Sequence, residues 1–195
     1  MVQNTKTIPM KPNEQNPWEI LDKQTAYDNS WINVTHHNVL HSSGKTGVYG
    51  TVHFKKLALG VLVLDEEYNT WIVGQYRFPI NQYTWEIPEG GGSLDVDPLI
   101  SIKRELLEET GIEAELWMHI QSLQLSNSAT DEIAHLYVAK NLTYQKASPD
   151  EDELLEQRKI SFDELYKWVC NGKVTDALTV AAVLKVKLMM MEGKL

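Results

Sequence analysis

The sequence contains little cysteine and no long apolar run. Its one cysteine, Cys170, cannot form an intrachain disulfide and therefore fits a reducing compartment. We interpret Cys170 as a buried structural thiol on a helix. The longest apolar stretch, Leu57 to Leu64, is far shorter than the roughly 20 residues that cross a membrane as a helix. Because the polar residues 1–18 contain no apolar signal-peptide core, we expect a cytoplasmic protein without a membrane partner.

Positive charge is also scarce. The chain has 18 Lys and Arg residues against 27 Asp and Glu residues, which gives a net charge of −9. Nucleic-acid binding requires a contiguous basic surface, so we expect no nucleic-acid partner. A small anionic ligand would have to be bound locally, through a metal ion and a few basic side chains. The 43% of hydrophobic residues is typical of an ordinary globular protein, and 195 residues suit one catalytic domain.

Strand patterns are concentrated in the first half of the chain. The segment from Trp31 to Phe54 is rich in β-branched and aromatic residues around a turn at Ser42 to Lys45, which predicts antiparallel strands. Leu57 to Leu64 predicts a strand covered on both faces, and Trp71 to Arg77 predicts a second strand that forms a hairpin with it. Two further short strands are predicted at His135 to Ala139 and at Leu155 to Ile160.

Helix signals follow the strands. The clearest helix runs from Asp97, a good N-cap, to Gly111, which suits the residue just past the end. Its buried stripe is predicted at Leu99, Ile102 and Leu106. Ser161 with Glu164 forms a capping box for a helix that reaches Cys170, and Asp176 caps a last helix toward Met190. Interleaved strands and helices predict an α/β fold with a mixed sheet between helices.

Three glutamates project from one face of the Asp97 to Gly111 helix. Glu108 and Glu109 lie three and four residues after Glu105, so the three charges repel each other unless a cation lies between them. Mg²⁺ prefers carboxylate and water oxygens and is often shared with substrate phosphates. Arg104 lies four residues before Glu108 and can orient one carboxylate. A solvated acidic face with ordinary ion pairs is the alternative interpretation.

A glycine-rich segment precedes this helix. In Glu86-Ile-Pro-Glu-Gly-Gly-Gly, Pro88 and the three glycines do not easily continue a strand or begin a helix. The segment therefore predicts a loop at the N-terminal side of the acidic helix, where backbone groups of Gly90 and Gly91 approach an anionic ligand. A simple turn is the alternative.

Together these residues resemble the Nudix hydrolase family. Gly90, followed by the segment from Arg104 to Ile112 (RELLEETGI), matches the 23-residue Nudix box except at Val96, where the family has a glutamate. Beyond the box, the chain is similar to the ADP-ribose pyrophosphatase branch in four segments: Gln75 to Pro79, Trp85 to Pro88, Thr130 to Glu132 and Gly172 to Thr179.

The resemblance implies a fold and an assembly. We expect a Nudix-type α/β/α sandwich with a mixed central sheet and an N-terminal antiparallel β subdomain. The expected boundaries are a polar leader at residues 1–18, the β subdomain at residues 19–55 and the catalytic domain at residues 56–195. The β subdomain is expected to pair two chains as a homodimer.

The resemblance also implies an activity. A divalent metal ion, Mg²⁺ or Mn²⁺, would support hydrolysis of the pyrophosphate bond in a nucleoside diphosphate sugar such as ADP-ribose, giving a nucleoside monophosphate and a sugar phosphate. Asn127 stands where the branch has a proline, which leaves a GDP-sugar or another nucleoside diphosphate compound as an alternative. Because Val96 replaces the glutamate of the box, a catalytically silent domain that binds nucleotide sugars is a further alternative.

By resemblance, the metal ligands are carboxylates of the box. Glu105 and Glu109 are the expected main ligands, Glu108 a third, and the backbone carbonyl of Glu89 completes the site, with Arg104 orienting the cluster.

The resemblance assigns the remaining roles to residues outside the helix. Glu132 is the expected general base, with Glu108 as the alternative. Arg77 is expected to pair with a phosphate, against the alternative of a structural salt bridge, and Glu86 to accept hydrogen bonds from a base or ribose.

Overall fold

The computed structural model describes residues 15–147 and 154–195. The chain divides into two compact units, which meet between His53 and Phe54. This division lies two residues before the boundary expected from the sequence. Most of the expected polar leader, residues 1–14, lies outside the described residues, and Trp18 at its end already begins a strand.

The described residues form ten strands and three α-helices. The strands are β1 (Trp18–Asp28), β2 (Ile32–His41), β3 (Thr46–Phe54), β4 (Lys56–Val63), β5 (Asn69–Arg77), β6 (Gln82–Glu86), β7 (Glu89–Ser93), β8 (Ile112–Gln124), β9 (Ile133–Tyr144) and β10 (Glu156–Ser161). The helices are α1 (Pro98–Thr110), α2 (Phe162–Cys170) and α3 (Ala177–Met191). Within these ranges no helix has the length and apolar character needed to cross a membrane.

The first unit is a three-stranded sheet in the order β1-β2-β3. The pair β2 and β3 confirms the strands predicted between Trp31 and Phe54, and Gly44, with a φ of 83°, lies in the turn that joins them. Strand β1 was not predicted, because its mostly polar sequence shows no alternation. It pairs antiparallel with β2, from Trp18 opposite His41 to Asp28 opposite Asn33.

The second unit contains a mixed sheet between two helices, as predicted. Its strand order is β7-β4-β9-β8, and only the neighbours β4 and β9 are parallel among these described strands. Alternate side chains of β4 point to opposite faces. One face carries Leu59, Val61 and Val63, which share a core cluster with Ile102 and Leu106 of α1. The other carries Leu62, which shares a cluster with Leu178, Ala182 and Val186 of α3.

The helix ends follow the predicted caps. Asp97 accepts a hydrogen bond from the backbone N–H of Leu99 at 2.9 Å, and Gly111, with a φ of 70°, ends α1. The Ser161 hydroxyl accepts from the N–H of Glu164 at 3.2 Å at the start of α2. Asp176 caps α3 in the same way. Capping depends on residues within one turn, which is why the local sequence predicts it.

The predicted hairpin of the two core strands is wrong. Strand β4 lies in the mixed sheet, whereas β5 lies in a separate sheet of order β10-β5-β6. Strand β4 is buried on both faces, and its two edges are occupied by β7 and β9, which come later in the chain. Pairing partners at such distances in sequence cannot be read from the pattern of one strand.

Three other expectations are corrected by the structure. The glycine-rich segment forms strand β7 rather than a loop, because β4 supplies a complete set of backbone partners for it. Cys170 is exposed at the end of α2 rather than buried. The strand predicted at His135 to Ala139 extends over the whole of β9, and its long neighbour β8, like β6, was not predicted.

Candidate active site

Arg77 ends β5 and pairs with carboxylates of the next two strands. Its Nη2 atom donates to Glu86 Oε2 at 2.6 Å and to Glu89 Oε1 at 2.7 Å. Burial acts to lower the pKa of Arg77, but the hydrogen bond to Glu86 and the charges of Glu89, Glu86 and Asp176 raise it overall. Arg77 therefore remains charged, and the structural salt bridge considered as an alternative role is present.

Glu86, at the end of β6, is held from several directions. Its side chain is 3% exposed. Besides Arg77, its carboxylate accepts from the Thr84 hydroxyl at 2.6 Å and from Gln75 Nε2 at 3.3 Å. A buried carboxylate with this many donors keeps one orientation.

Glu89, the first residue of β7, is more weakly satisfied. Its side chain is 11% exposed, and its Oε2 atom is buried without a hydrogen-bond partner among the described residues. Burial raises the pKa of Glu89 well above its usual value of 4.5, and the charges of Asp176 and Glu86 raise it further, against the opposite effect of Arg77. Such a group favours a proton or a cation beside it.

The backbone of Glu89 contacts the acidic helix. Its N–H donates to Glu109 Oε2 at 3.1 Å, and Glu109 is 3% exposed. The backbone carbonyl of Glu109 accepts from Gln157 Nε2 at 2.5 Å. The strand β7 and the C-terminal half of α1 are thus joined directly at Glu109.

Arg104 bridges the other two glutamates of α1. Its guanidinium donates to Glu105 Oε1 at 2.5 Å and to Glu108 Oε2 at 2.9 Å. These are the contacts through which the predicted orienting role of Arg104 would operate. One cation therefore holds two of the repelling carboxylates on the same face.

Gly90 of β7 allows α1 to approach closely, and Gly91 lies against a side chain of β4. A Cβ atom on Gly90 would collide with the Glu105 carboxyl group, and one on Gly91 would lie 3.0 Å from Lys56 Cδ. Gly90 therefore lies beside the second half of α1, not at its N-terminus as predicted. The reason is that β7 runs along the helix, so that its residues meet successive turns.

Asp176 was predicted only as a helix cap, yet it joins the site. Carboxylate oxygens of Glu86, Glu89 and Asp176 all lie within 4.8 Å of one another. Hard oxygen donors in this number suit a divalent cation such as Mg²⁺ or Ca²⁺. The donor set consists only of oxygen atoms and includes the buried Glu89 Oε2 atom, so it fits a divalent metal ion. Among the contacts described above, only Arg77 offsets the charge of these carboxylates.

Glu132 belongs to a different element, the loop between β8 and β9. Burial raises the pKa of its carboxyl group above the usual 4.5, and the charge of Asp131 raises it further. Asp131 accepts a hydrogen bond from the backbone N–H of Phe54 at 2.9 Å. None of the contacts described for Arg77, Glu86, Glu89 or the α1 glutamates involves Glu132.

Sequence reasoning missed the contribution of α3. The backbone N–H of Ile87 donates to the Thr179 hydroxyl at 3.0 Å, and both residues are fully buried. The available signal was the likeness of Gly172 to Thr179 to the ADP-ribose pyrophosphatase branch, which carries no geometry by itself.

Comparison with known proteins decides the family. A family profile described as NUDIX domain matches residues 54–178, which is more than half of the chain and most of the second unit. The chain belongs to the NUDIX family. The matched region contains Arg77, the glycines of β7 and all of α1, whereas Thr179, which accepts from Ile87, lies one residue beyond it.

Individual relatives agree with this assignment. A methanol dehydrogenase activator from Bacillus methanolicus is 37% identical over 128 residues, covering 65% of this chain and 69% of that protein. An ADP-ribose pyrophosphatase from Bacillus subtilis strain 168 is 33% identical over 128 residues, with the same coverage of 65% and 69%. The crystal structure of an ADP compounds hydrolase superposes with a TM-score of 0.78 over 92% of this chain and 98% of that chain, at 18% identity. The last likeness confirms the expected Nudix fold.

Proposed function

We propose that this Nudix protein hydrolyses the pyrophosphate bond of a nucleoside diphosphate sugar of the ADP-ribose kind, with Mg²⁺ as its cofactor. The products are a nucleoside monophosphate and a sugar phosphate. The observation that carries the proposal is the direct contact between β7 and α1, in which Glu109 accepts a hydrogen bond from the Glu89 N–H. Arg104 joins the neighbouring carboxylates of Glu105 and Glu108 on the same helix. The family membership and the name of the Bacillus subtilis relative support the choice of reaction and substrate.

The metal ligands in this proposal are Glu105 and Glu109, with Glu108 as a third and the Glu89 carbonyl completing the set. The neighbouring carboxylates of Glu86, Glu89 and Asp176 form a second group of oxygen donors that fits a divalent ion. When bound, a divalent ion supplies Lewis-acid neutralisation of the diphosphate charge. Arg104 holds Glu105 and Glu108 on one face of α1. The two carboxylates therefore need not be reoriented when the substrate binds. Carboxylates preorganised in this way would hold a metal ion in place, and the ion would neutralise negative charge in the transition state.

Substrate contacts are assigned to the strands beside the helix. Gly90 and Gly91 are assigned to the diphosphate as backbone contacts, with the Glu105 carboxyl group and the Lys56 side chain lying beside them. Arg77 keeps its positive charge at the edge of the site and attracts the anionic substrate, while its salt bridges to Glu86 and Glu89 hold it in place. Glu86 orients Arg77, since its buried carboxylate already accepts hydrogen bonds from Arg77, Thr84 and Gln75.

The general base in this proposal is Glu132. Water must lose a proton as it attacks phosphorus, and a carboxylate whose pKa is raised is a better proton acceptor than an ordinary one. The loop between β8 and β9 brings this group toward the substrate when it closes.

A substrate screen tests the proposal. ADP-ribose, other ADP-sugars and GDP-sugars are incubated with the protein and Mg²⁺, and the released nucleoside monophosphate is measured by chromatography. We expect release from ADP-ribose-like compounds, and a loss of about 10²-fold or more in kcat for Glu109→Gln. Glu113→Gln is the matched control, because Glu113 is an exposed carboxylate just beyond α1.

Three results would redirect the proposal. Preferred cleavage of a GDP-sugar would replace the substrate but keep the reaction. Tight binding of nucleotide sugars without release would indicate a silent binding domain. A wild-type rate in Glu109→Gln would overturn the metal assignment.

A further inference from the structure

The chain crosses from one sheet of the second unit to the other between Glu86 and Glu89. The crossing consists of Ile87 and Pro88, and proline has no backbone N–H. The two N–H groups at this point, those of Ile87 and Glu89, are both bonded to side chains of helices. Ile87 donates to Thr179 of α3 at 3.0 Å, and Glu89 donates to Glu109 of α1 at 3.1 Å.

Thr179 is rigidly placed at the start of α3. Its own N–H donates to Asp176 Oδ2 at 2.7 Å, which fixes the first turn of the helix. Its side chain is fully buried, so its hydroxyl is shielded from bulk solvent. The Thr179 hydroxyl therefore accepts the Ile87 N–H in one position.

Packing beside this hydrogen bond is equally tight. At Gly60 of β4, an added Cβ atom would lie 3.1 Å from Ile87 Cδ1 and 3.3 Å from Leu178 Cδ2. Ile87 and Leu178, the neighbour of Thr179, therefore meet over the same backbone position of β4. Little room is left for the crossing to shift relative to α3.

We propose that Thr179 is a positioning residue for the metal-binding carboxylate of Glu109. Its hydroxyl fixes the position of Ile87. Because only Pro88 separates Ile87 from Glu89, the position of Glu89 is fixed as well, and the Glu89 N–H orients Glu109 Oε2. The inference rests on the proposed function only in taking Glu109 as a metal ligand. Hydrogen-bonded partners behind a ligand commonly tune metal affinity in this way.

The test removes the hydroxyl while keeping the shape of the side chain. Thr179→Val loses the acceptor for Ile87, whereas Thr179→Ser retains it. Thr70→Val is the matched control, because Thr70 is also fully buried in the second unit and its hydroxyl has no hydrogen-bond partner among the described residues. If Thr179→Val does not fold, Thr179→Ala removes the same hydroxyl without an added methyl group.

The readout is Mn²⁺ binding to the full chain without substrate, measured by the electron paramagnetic resonance signal of free Mn²⁺. We expect Thr179→Val to weaken Mn²⁺ binding by about tenfold or more. Thr179→Ser and Thr70→Val should bind Mn²⁺ like the wild type. Thermal unfolding of each variant is recorded to verify that it is folded at the assay temperature.

The outcomes separate this inference from the proposed function. Wild-type Mn²⁺ affinity in a folded, less stable Thr179→Val variant would overturn the positioning role and leave only a structural one, with the proposed hydrolysis unaffected. Equal weakening in Thr70→Val would also overturn it. A wild-type protein that binds Mn²⁺ but cleaves no nucleotide sugar would overturn the proposed hydrolysis, while the comparison of Thr179 variants would still decide the positioning role.

Discussion

Glu132 and Asp131 are neighbours in the loop before β9, but their surroundings differ. The Asp131 carboxylate is engaged by the backbone of Phe54, whereas Glu132 is partly buried. Burial, followed by the charge of Asp131, raises the pKa of Glu132. The two carboxylates are therefore electrostatically coupled although only one is proposed to take part in proton transfer.

Replacing the proposed base tests this residue directly. Glu132→Gln should lower kcat by about 10² to 10⁴-fold with little change in KM, because a general base acts in the transition state and not in substrate binding. Steady-state kinetics on the best substrate of the screen measure both constants. Full activity in this variant would move the role to Glu108.

Asp131→Asn is the companion variant, and it should change the pH dependence of kcat. A base works in its deprotonated form, so activity is present above the pKa of Glu132 and is lost as the pH falls through it. Removing the Asp131 charge lowers that pKa, which should shift the acidic limb of the kcat profile to lower pH. An equal loss of kcat in both variants would indicate loop charge or loop structure instead of a specific base.

Val96 illustrates how a departure from the family pattern is accommodated. Val96 stands where the Nudix box has a glutamate, and it is 40% exposed in the turn before α1. Arg104 is nevertheless held by Glu105 and Glu108. The structure therefore gives Arg104 two partners that do not depend on position 96.

At the scale of elements, β7 and α1 form the centre of the candidate site. A strand that contains three successive glycines has weak intrinsic preference for extended structure. Its pairing with β4, from Lys56 opposite Ser93 to Gly60 opposite Glu89, supplies the missing stability. The glycines in turn leave space for the carboxylates of α1.

Gly90→Ala tests this packing. The added methyl group would displace the Glu105 carboxyl group, so we expect Mn²⁺ affinity and kcat to fall by about tenfold or more, the usual effect of disturbing groups around a metal ligand. Gly50→Ala in β3 is the control, since nothing lies within 4 Å of its added Cβ. Unchanged metal affinity in a folded Gly90→Ala variant would show that Glu105 tolerates the displacement.

Helix boundaries and strand partners differ in how far the sequence predicts them. The caps of α1 and α3 at Asp97 and Asp176 involve bonds to residues two or three positions away, so the local sequence contains all the partners. The partners of β4 and β5 lie far along the chain, and the hairpin predicted for them does not form. Local hydrophobic patterns are similar for both arrangements.

At the scale of the whole molecule, the first unit buries little apolar surface. Within residues 15–53, Val39 alone is a buried hydrophobic residue. Large apolar side chains of this unit that are exposed include Ile20, Leu21, Tyr27, Trp31, Val48 and Tyr49. A sheet of this kind gains free energy when another surface covers it.

We therefore expect a homodimer in which a second copy covers this sheet. Light scattering at micromolar concentration should give about twice the chain mass of 22.3 kDa. Trp31→Ser, which removes a large exposed apolar side chain of the first unit, should weaken the dimer, with Tyr68→Ser as a control at an exposed aromatic residue of the second unit. A strict monomer for the wild type would contradict this expectation.

The sequence by itself determined the features that depend on near neighbours. These are the ends of α1, its buried stripe, the spacing of Glu105, Glu108 and Glu109, and the Nudix box that contains them. The features of the helix each involve residues within about two turns, where the geometry is set by the helical repeat alone, and the box adds a fixed sequence spacing to Gly90. The family and the class of reaction follow from these features.

Only the tertiary structure decided which distant residues complete the site. Thr179 and Asp176 follow Glu86 by about two thirds of the length of the catalytic unit, yet both lie against the Glu86 to Glu89 crossing. Both residues reach this position because α3 packs over the mixed sheet. Pro88 interrupts the strand ladder there, so the buried N–H of Ile87 needs an acceptor outside the sheet. Burial and hydrogen bonding are properties of the whole packed molecule, and no local pattern contains them.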